Sequence, residues 1–486
     1  MATRRSFLKH SALTAAALPL WAPLAAAEEP LQRRGPSRKV IVVGAGLAGL
    51  CAAHRLTEAG HQVVVLEAQR RAGGRVQTFR DFGEGLCAEA GATRIPDNHD
   101  VTLRYAKLFG LELDPFLPPG APVYHLRGRR FVGPAKGEEW PLPLAPPERR
   151  LGVGQMMDAA YGEVLKEIGN PTAAGWPAES SWKYDRLTLS DFLRERGLSE
   201  EALHLRRAAF GQWDDTADRS SALRTLATLA LERPGATYYK IRGGNDRLPH
   251  AFALRLADQI HYGSPVVRIE RASGGVRVFF DEAGGRQSLS ADRVIVTVPF
   301  SVLRRIEVDP PFSDEKARAI REMPYASSSK VFLQTRSRFW SAQGLSGFAS
   351  TDLLGYMQVW ELGHGQPGPR GLLVGYTKME GARRIDALDE DQRIATTLAA
   401  VTKVHPELEH AFEGGSSKSW DQDPWARGGW SFSRPGDMQR LEPHVAGPEG
   451  RVHFAGEHAS PWRGGWMQAA LESGERAAAE IEEPAV

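Results

Sequence analysis

The feature that most constrains the fold is a strand–turn–helix–strand pattern near the start of the chain. Residues 40–43 are all aliphatic, as expected of a parallel strand that is buried on both faces. Residues 47–59 predict a helix, and Gly60 suits the position just after a helix end. Residues 63–66 form a second aliphatic run. The pattern therefore predicts a βαβ unit, which is typical of folds in which helices cover a parallel sheet.

The turn inside this unit has the sequence G-x-G-x-x-G. Gly44 permits the tight turn, Gly46 lets the backbone approach a pyrophosphate, and Gly49 lets the helix pack closely on the strand. A pyrophosphate beside Ala45 would lie at the helix N-terminus, where free N–H groups favour anions. Glu67 ends the second strand and is placed to accept hydrogen bonds from an adenosine ribose. The unit predicts a dinucleotide site, but it does not separate FAD from NAD.

The residues that follow the second strand distinguish the two cofactors. The run from Glu67 through Ala68, Arg71 and Gly74 to Arg75 resembles the E-A-x-x-R-x-G-G-R run of the flavin amine oxidase family. Arginine binds phosphate through two parallel hydrogen bonds, and glycines let a backbone come close to a ligand. The resemblance implies that the two arginines face phosphate on a second loop, and that the cofactor is FAD.

Two later segments also resemble this family. Residues 242–248 are similar to the G-G-x-x-x-L element in the middle of its sequences, and a predicted strand follows in which Val266 would contact the adenine through its backbone. Residues 452–458 are similar to its strand and A-G-E motif. The resemblance implies that Gly456 lies beside the cofactor and that Glu457 binds the ribityl chain.

The last predicted helix, at 464–481, begins with Gly465, Trp466 and Met467. In the family that this chain resembles, the N-terminus of the corresponding helix faces the flavin pyrimidine oxygen. A helix dipole favours the negative charge that develops there on reduction. These three residues are therefore expected at the cofactor, together with Thr93 and Arg94 from an earlier segment.

The FAD is expected to be noncovalent. Family members with an 8α-cysteinyl bond carry a cysteine after a pair of glycines late in the chain. Here Gly428 and Gly429 are followed by Trp430. The two cysteines of the chain, Cys51 and Cys87, lie elsewhere and can form at most one disulfide.

A lysine on a later strand is the candidate catalytic residue. Residues 330–335 predict a strand, and its alternation places Lys330 on the same face as Phe332. In the family, a lysine at such a position reaches flavin N5 through a water. An exposed strand lysine is the alternative. Ser327 and Lys330 also match an S-x-x-K pattern of penicillin-binding proteins, but the companion motifs of that class are absent.

The segment at 89–96 bears on the substrate. It resembles the G-x-x-R-[IL]-P pattern of L-amino-acid oxidases, in which the arginine binds the substrate carboxylate, and Arg94 occupies that position. A guanidinium facing a cavity matches a carboxylate in geometry. The alternative is that Arg94 binds a structural carboxylate or a flavin phosphate. By the same resemblance Tyr376 would make the second carboxylate contact and the Gly465 carbonyl would accept the amine.

The resemblance implies oxidative deamination of an L-amino acid, with O2 as electron acceptor and a 2-oxo acid, ammonia and hydrogen peroxide as products. Tyr356, Trp425 and Trp466 are further candidates for the substrate pocket. Aromatic residues are often plain core, so the roles of Tyr356 and Trp425 stay open. The alternatives are a monoamine or polyamine oxidase, and a flavoprotein without catalytic activity.

The expected fold class is α/β: a two-domain α+β flavoprotein with a Rossmann-like FAD-binding domain, a mixed-sheet substrate domain and a helical insertion. Residues 111–150 are rich in proline and glycine and predict loop. Helices are predicted at 156–168, 188–196, 220–232 and 389–404, the last with Asp389 as N-cap, and strands at 276–280 and 294–298. The predicted bounds are 38–95, 236–325 and 448–484 for the FAD-binding domain, 96–150 and 326–447 for the substrate domain, and 151–235 for the insertion or lid.

The first 27 residues predict an export signal. Arg4 and Arg5 belong to a twin-arginine pattern, an apolar alanine-rich stretch follows, and three alanines ending at Ala27 offer a cleavage site. We therefore expect export by the twin-arginine route to the periplasm or the extracellular space, with no membrane partner for the mature protein. A formal charge of +2 without a basic stripe gives no reason to expect a nucleic-acid partner. The oligomeric state stays open, a homodimer being one option.

Overall fold

The computed structural model describes residues 31–210, 217–232, 235–461 and 464–483 of the chain. The predicted export signal lies outside these residues. A parallel five-stranded sheet contains both strands of the βαβ unit at its centre. In spatial order its strands are Ile260–Tyr262, Gln62–Glu67, Lys39–Val43, Arg293–Val296 and Val452–Phe454. The sheet is therefore assembled from three stretches of chain that are far apart in sequence.

Two helices pack against one another beside this sheet. The first helix, Leu47–Glu58, follows the glycine-rich turn, and the last helix, Met467–Ile481, lies against it. Gly474 is where they approach closely, because a Cβ there would lie 2.5 Å from the carbonyl oxygen of Ala48. Apolar side chains of both helices and of the sheet form one buried cluster. The helices are thus held at a spacing that only glycine permits at this point.

A seven-stranded mixed sheet forms the largest sheet in the described residues. Its strands, in spatial order, are Phe412–Ser419, Ser328–Thr335, Gly371–Lys378, Gln358–Glu361, Leu345–Thr351, Ala121–Leu126 and Arg129–Val132. A four-stranded sheet contains Gly285–Ala291, Gly275–Glu282, Val266–Ala272 and Glu307–Asp309, and a three-stranded sheet contains Ile95–Pro96, Tyr238–Ile241 and Leu113–Pro115. Two short pairs complete the set: Tyr325–Ala326 with Trp430–Ser431, and Thr78–Phe79 with Ala88–Glu89.

Helices between residues 153 and 231 share one apolar cluster with the strand Ala121–Leu126 and with Trp140, Leu144 and Met438. These helices are Val153–Ile168, Trp182–Asp185, Leu189–Glu195, Glu200–Phe210 and Ala222–Leu231. The other α-helices of the described residues are Asp100–Leu108, Arg247–Arg255, Phe300–Leu303, Asp314–Glu322, Phe339–Ala342, Met379–Asp386, Glu390–Thr402, Leu408–Ala411 and Asp437–Arg440. Every element of regular secondary structure in the described part of 151–235 is therefore a helix.

The predicted N-cap at Asp389 is confirmed, and two other predicted helices also begin with a capping side chain. Asp389 accepts a hydrogen bond from the Gln392 backbone N–H at 2.8 Å, which makes it the N-cap that the sequence predicts. Thr188 and Ser221 cap two helices of the insertion in the same way. The last helix begins at Met467, so the glycines before it form the approach to the helix and not its first turn.

The prediction of loop throughout 111–150 is wrong in part. Strands Ala121–Leu126 and Arg129–Val132 form a hairpin at the edge of the seven-stranded sheet. Its two-residue turn consists of Arg127 and Gly128, which have φ values of 50° and 73°. Positive φ at both positions is the signature of a hairpin turn that matches strand twist. The adjacent proline and glycines made this segment resemble a loop.

The fold class is the predicted one, a two-domain α/β flavoprotein architecture of mixed helices and sheets. Cys51 and Cys87 are not joined in a disulfide in the structure. No helix among the described residues has both the length and the apolar character that crossing a membrane requires.

Two glycine-to-alanine substitutions should change stability in opposite directions. Gly474→Ala places a methyl group 2.5 Å from the Ala48 carbonyl oxygen, so we expect the protein to lose roughly 1–3 kcal/mol of unfolding free energy. Gly162→Ala lies in helix Val153–Ile168 with open space around the new methyl, so we expect a gain of about 0.5–1 kcal/mol. Urea unfolding curves of both variants measure this. A Gly474→Ala curve that overlies the parent curve would contradict the packing argument.

Candidate active site

A deep cleft lies at the carboxyl ends of the central parallel strands. It has about 1500 Å³ of empty space, and Val43, Leu66 and Thr297 are among the residues on its wall. Val43 ends one strand of the parallel sheet, Leu66 is the second-to-last residue of another, and Thr297 directly follows a third. Ligands of open α/β sheets bind at this edge. The cleft is therefore where the fold itself favours a dinucleotide.

The glycine-rich turn has the geometry that its motif predicts. Gly44 has a φ of 106°, and a Cβ on Gly49 would lie only 2.0 Å from the Gly44 carbonyl oxygen. Gly46 differs, because a Cβ there would meet nothing within 4 Å and the residue lines the cleft. Gly49 is thus needed for packing, whereas Gly46 leaves open space for a ligand beside the helix N-terminus.

Glu67 holds the turn from the next strand. Its carboxylate accepts hydrogen bonds from the backbone N–H groups of Ala45, at 2.6 Å, and Gln69, at 2.8 Å. Burial raises the pKa of Glu67 above its usual value, and these two hydrogen bonds oppose the rise. Glu67 and Ala68 both line the cleft, whereas Ala45 contributes through its backbone to the carboxylate.

The second glycine loop packs directly on the first. The Gly73 N–H donates to the Ala45 carbonyl oxygen at 2.8 Å, and Gly74 lines the cleft. Arg75 also lines the cleft and forms an ion pair with Glu457 at 3.0 Å. The structure does not bring Arg71 to the cleft wall. Its guanidinium donates to the Gly74 carbonyl oxygen at 2.8 Å and so braces the loop from behind.

Glu457 is fixed from several sides. Besides the pair with Arg75, its carboxylate accepts from the Ser431 backbone N–H at 2.9 Å and from the Ser431 hydroxyl at 3.0 Å. Gly456, which precedes it, has a φ of 130°. Both residues line the cleft, as does Val266 from the four-stranded sheet. The A-G-E segment therefore presents a carboxylate whose position is fixed by the ion pair with Arg75 and the hydrogen bonds from Ser431.

The N-terminus of the last helix closes part of the cleft. Gly465, Trp466 and Met467 all line it, and Trp466 is the N-cap residue. Gly465 has a φ of 82°, and a Cβ there would lie 3.0 Å from the Trp430 Cβ. The glycine thus allows the chain to pass directly in front of the Trp430 side chain.

Lys330 and Tyr376 are direct neighbours on adjacent antiparallel strands. Both side chains are buried and both line the cleft. The Lys330 ammonium donates to the carbonyl oxygens of Glu89, at 2.9 Å, and Gly91, at 2.7 Å, and to the hydroxyl of Thr93, at 2.7 Å. Burial lowers the pKa of Lys330 to about 7. A buried lysine that titrates near neutral pH is suited to proton transfer.

Arg94 lies among aromatic rings at the same end of the cleft. Its guanidinium carbon is 5.0 Å from the ring centroid of Tyr238, 5.4 Å from that of Trp360 and 5.7 Å from that of Trp466. The Tyr376 ring stands edge-on to Trp360 at 5.1 Å. Three rings therefore hold one cation by cation–π contacts on the cleft wall.

The two remaining predicted pocket residues, Trp425 and Tyr356, differ in where they lie. Trp425 lines the cleft and is 37% exposed. The structure does not bring Tyr356 to the cleft, because its hydroxyl lies 3.0 Å from Nδ1 of His204 on a helix of the insertion. Tyr356 also has a φ of 61°. Its side chain packs against the helical insertion and not into the pocket.

Sequence reasoning did not single out several side chains of the cleft wall. Trp360, Trp420 and Trp430 line it as aromatic surfaces, and the Trp420 indole N–H donates to the Ala90 carbonyl oxygen at 2.9 Å. Ser328 lines it from the strand of Lys330. The sequence feature that indicates these aromatic residues is the density of tryptophan between residues 420 and 466, which is higher than elsewhere in the chain.

The residues of the cleft fit a flavin dinucleotide. The open space beside Gly46 would admit a pyrophosphate, and the buried carboxylate of Glu67 lies beside it. Arg75, Glu457, the start of the last helix and Lys330 line the same cleft. This set of groups suits a cofactor that has both a phosphate-bearing part and a redox-active part.

Comparison with known families supports this assignment. A family model described as flavin-containing amine oxidoreductase matches residues 47–482. YobN of Bacillus subtilis, provisionally named as an L-amino-acid oxidase, is 35% identical over 456 residues, which cover 91% of this chain and 94% of that protein. The L-amino-acid oxidase of Pseudechis australis is 29% identical, with 94% and 89% of the two chains covered.

Solved structures with the same fold come from amine oxidases. Cyclohexylamine oxidase from Brevibacterium oxydans IH-35A superposes with a TM-score of 0.79 at 25% identity and covers 92% of this chain and 99% of its own. Putrescine oxidase with putrescine bound superposes with a TM-score of 0.78 at 24% identity, over 92% and 99% of the two chains. The second likeness concerns the fold alone.

Filling the open space beside the glycine turn should remove the flavin without unfolding the protein. Gly46→Val places a branched side chain in the cleft, so we expect the purified variant to be folded but colourless. Gly154→Val, which also has open space around its Cβ but lies in the helical insertion, is the matched control and should stay yellow. Absorbance spectra at equal protein concentration, with circular dichroism to verify folding, make the comparison. Full flavin content in Gly46→Val would contradict this placement of the cofactor.

Proposed function

Because this chain belongs to the flavin-containing amine oxidoreductase family, we propose that it is an FAD-dependent L-amino-acid oxidase. The family makes it an oxidoreductase with a flavin cofactor, a small-molecule amine substrate and O2 as co-substrate. The proposed reaction converts an L-amino acid to a 2-oxo acid, ammonia and hydrogen peroxide. The observation that carries this proposal is the cationic side chain of Arg94 on the cleft wall, held among three aromatic rings.

The surroundings of Arg94 suit a carboxylate ligand. A guanidinium can donate two parallel hydrogen bonds to a carboxylate, and such charge-assisted bonds are roughly twice as strong as neutral ones. Aromatic faces fix the orientation of the guanidinium and exclude water from one side of it. Tyr376 is buried close by, and its hydroxyl would make a second contact to the same carboxylate. An amine without a carboxylate would have no use for this arrangement.

The other residues of the cleft have complementary roles in the proposal. The carbonyl oxygen of Gly465 would accept a hydrogen bond from the substrate amine and so direct the Cα–H toward the cofactor. Lys330, whose pKa is near 7, would lie beside flavin N5 and take up or release a proton there. A bound FAD would supply the redox chemistry, accepting a hydride and passing the electrons to O2. The protein supplies orientation and electrostatics.

An amine oxidase acting on substrates without a carboxylate is the second candidate. The structural likeness to cyclohexylamine oxidase favours it, because that protein has nearly the same fold. A flavoprotein without catalytic activity is the third. A peroxide assay against the standard amino acids and a set of simple amines separates the three, because each predicts a different set of active compounds.

The flavin is proposed to be bound without a covalent bond. Trp430 occupies the place after the glycine pair, and the two cysteines do not line the cleft. Acid precipitation should therefore leave the yellow colour in the supernatant. Colour that stays with the precipitated protein would contradict the proposal.

Export by the twin-arginine route is likewise a proposal. It rests on the residues before position 28, which lie outside the described residues. Lysine in place of Arg4 and Arg5 should keep the protein in the cytoplasm of a producing bacterium, and fractionation of the cells measures this.

Arg94→Ala should harm amino-acid turnover far more than turnover of the matching amine. Loss of a charged hydrogen bond in a dry site costs roughly 2–5 kcal/mol, or about 30-fold to several-thousand-fold in kcat/KM. An amine analogue without the carboxylate does not use the arginine, so its kcat/KM should change little. The measurement is the ratio of the two kcat/KM values in the parent and in the variant, each saturated with FAD.

Arg150→Ala is the matched control for this experiment. Arg150 is an exposed arginine whose side chain pairs with Glu139 on the surface. Its removal should leave the ratio unchanged. If the ratio also stays unchanged in Arg94→Ala, Arg94 has a structural role and the amine-oxidase candidate is favoured.

A further inference from the structure

The hydrogen bonds of Lys330 saturate its ammonium group. An ammonium has three N–H bonds and no lone pair. The three acceptors around Nζ are the carbonyl oxygens of Glu89 and Gly91 and the hydroxyl oxygen of Thr93, at 2.9, 2.7 and 2.7 Å. The protonated lysine is therefore matched to its surroundings, and each acceptor uses one proton.

A neutral Lys330 has a different requirement. It has two N–H bonds and one lone pair, so one of the three surrounding oxygens must become a donor or must be left facing the lone pair. The carbonyl oxygens can only accept. The Thr93 hydroxyl, which now donates to the Gly91 carbonyl oxygen at 3.0 Å, can rotate and donate to the lysine nitrogen. In a pH titration the proton that leaves Nζ passes to water, and no other bond forms or breaks.

We propose that Thr93 is a positioning residue whose hydroxyl adjusts the proton affinity of Lys330, by accepting from the charged lysine and donating to the neutral one. The inference rests on the proposed function only in placing Lys330 beside the flavin ring. The hydrogen-bond geometry stands on its own.

Thr93 contacts Lys330 and is next in the chain to Arg94, the residue that is proposed to bind the substrate carboxylate. The residue is buried, lines the cleft and immediately precedes Arg94 in the chain. A change in its hydroxyl orientation alters its bond to the Gly91 carbonyl oxygen, within the short segment that also carries the arginine. The lysine is thus hydrogen-bonded to the residue that immediately precedes the arginine in the chain.

The charged groups facing Lys330 come from three other elements. The carboxyl group of Glu89 is buried, and its pKa is raised to about 7 by burial. Its charge favours protonated Lys330, whereas those of Lys378 and Arg94 disfavour it. The ring of Tyr376 lies 5.1 Å from the lysine nitrogen. With burial as the largest effect, these groups hold the pKa of Lys330 at about 7, where one hydrogen bond produces an observable change.

The experiment is a pH titration of the bound flavin in the complete protein without substrate. The absorbance of the flavin senses a charge that appears or disappears beside the ring. The parent is compared with Thr93→Val, which keeps the shape but removes the hydroxyl, and with Thr93→Ser, which restores it. Lys330→Met identifies the spectral step that belongs to the lysine, because that step should be missing there. Equal flavin content shows that each variant folds.

In Thr93→Val the lysine step should move to lower pH by about one unit, a tenfold larger acid dissociation constant, because the ammonium loses one of its three acceptors. Thr93→Ser should return the step to the parent midpoint. An unchanged midpoint in Thr93→Val would overturn the inference, as would an equal shift in Thr93→Ser. So would a parent titration identical to that of Lys330→Met, because no lysine proton would then respond at all.

The same preparations distinguish this inference from the proposed substrate class. If the peroxide panel shows oxidation of simple amines only, the L-amino-acid assignment fails. The midpoint shift, measured without substrate, still decides the role of Thr93. If amino acids are oxidised and the midpoint does not move, the assignment stands and the role of Thr93 fails.

Discussion

The buried ammonium of Lys330 is the group on which the arrangement of the cleft depends. A charge taken out of water costs several kcal/mol unless the protein replaces its hydration. Here two backbone carbonyls and one hydroxyl replace it, and all three belong to the segment between Glu89 and Thr93. The requirement to solvate one lysine therefore fixes that segment against the seven-stranded sheet. Arg94 follows directly, so its position relative to Tyr376 is set by the same contacts.

The parts of the fold that are local in sequence could be predicted from it. The turn from Gly44 to Gly49 has one conformation that suits its glycines, and the structure has that conformation. The hairpin around Arg127 was missed for a physical reason. An arginine with positive φ is unusual, and the strand Ala121–Leu126 is stabilised by pairing with the distant strand Leu345–Thr351. Strand pairing with distant residues determines the conformation of that segment, and a local sequence pattern does not contain this information.

The contacts that long side chains make are harder to predict from the sequence than the conformation of the backbone. Arg71 belongs to a motif that suggests phosphate binding, yet it donates to a carbonyl oxygen of its own loop. Glycine-rich loops leave carbonyl groups without secondary-structure partners, and a nearby guanidinium satisfies them. Tyr356 has a φ of 61°, and its hydroxyl lies beside Nδ1 of His204. Tyr376 was predicted through the family resemblance alone, and it is the structural register of two antiparallel strands that makes it the direct neighbour of Lys330.

The charges around Tyr376 affect both the carboxylate and the amine of the proposed substrate. The nitrogens of Lys330 and Lys378 lie 5.1 and 4.2 Å from its ring centroid, and Arg94 lines the same cleft. In a poorly hydrated site these cations attract a carboxylate and disfavour a second cation. A positive field of this kind would lower the pKa of a substrate amine, because an ammonium placed there would be repelled. Oxidation at the α-carbon needs the amine neutral, so the groups that would hold the carboxylate also favour the reactive form of the nitrogen.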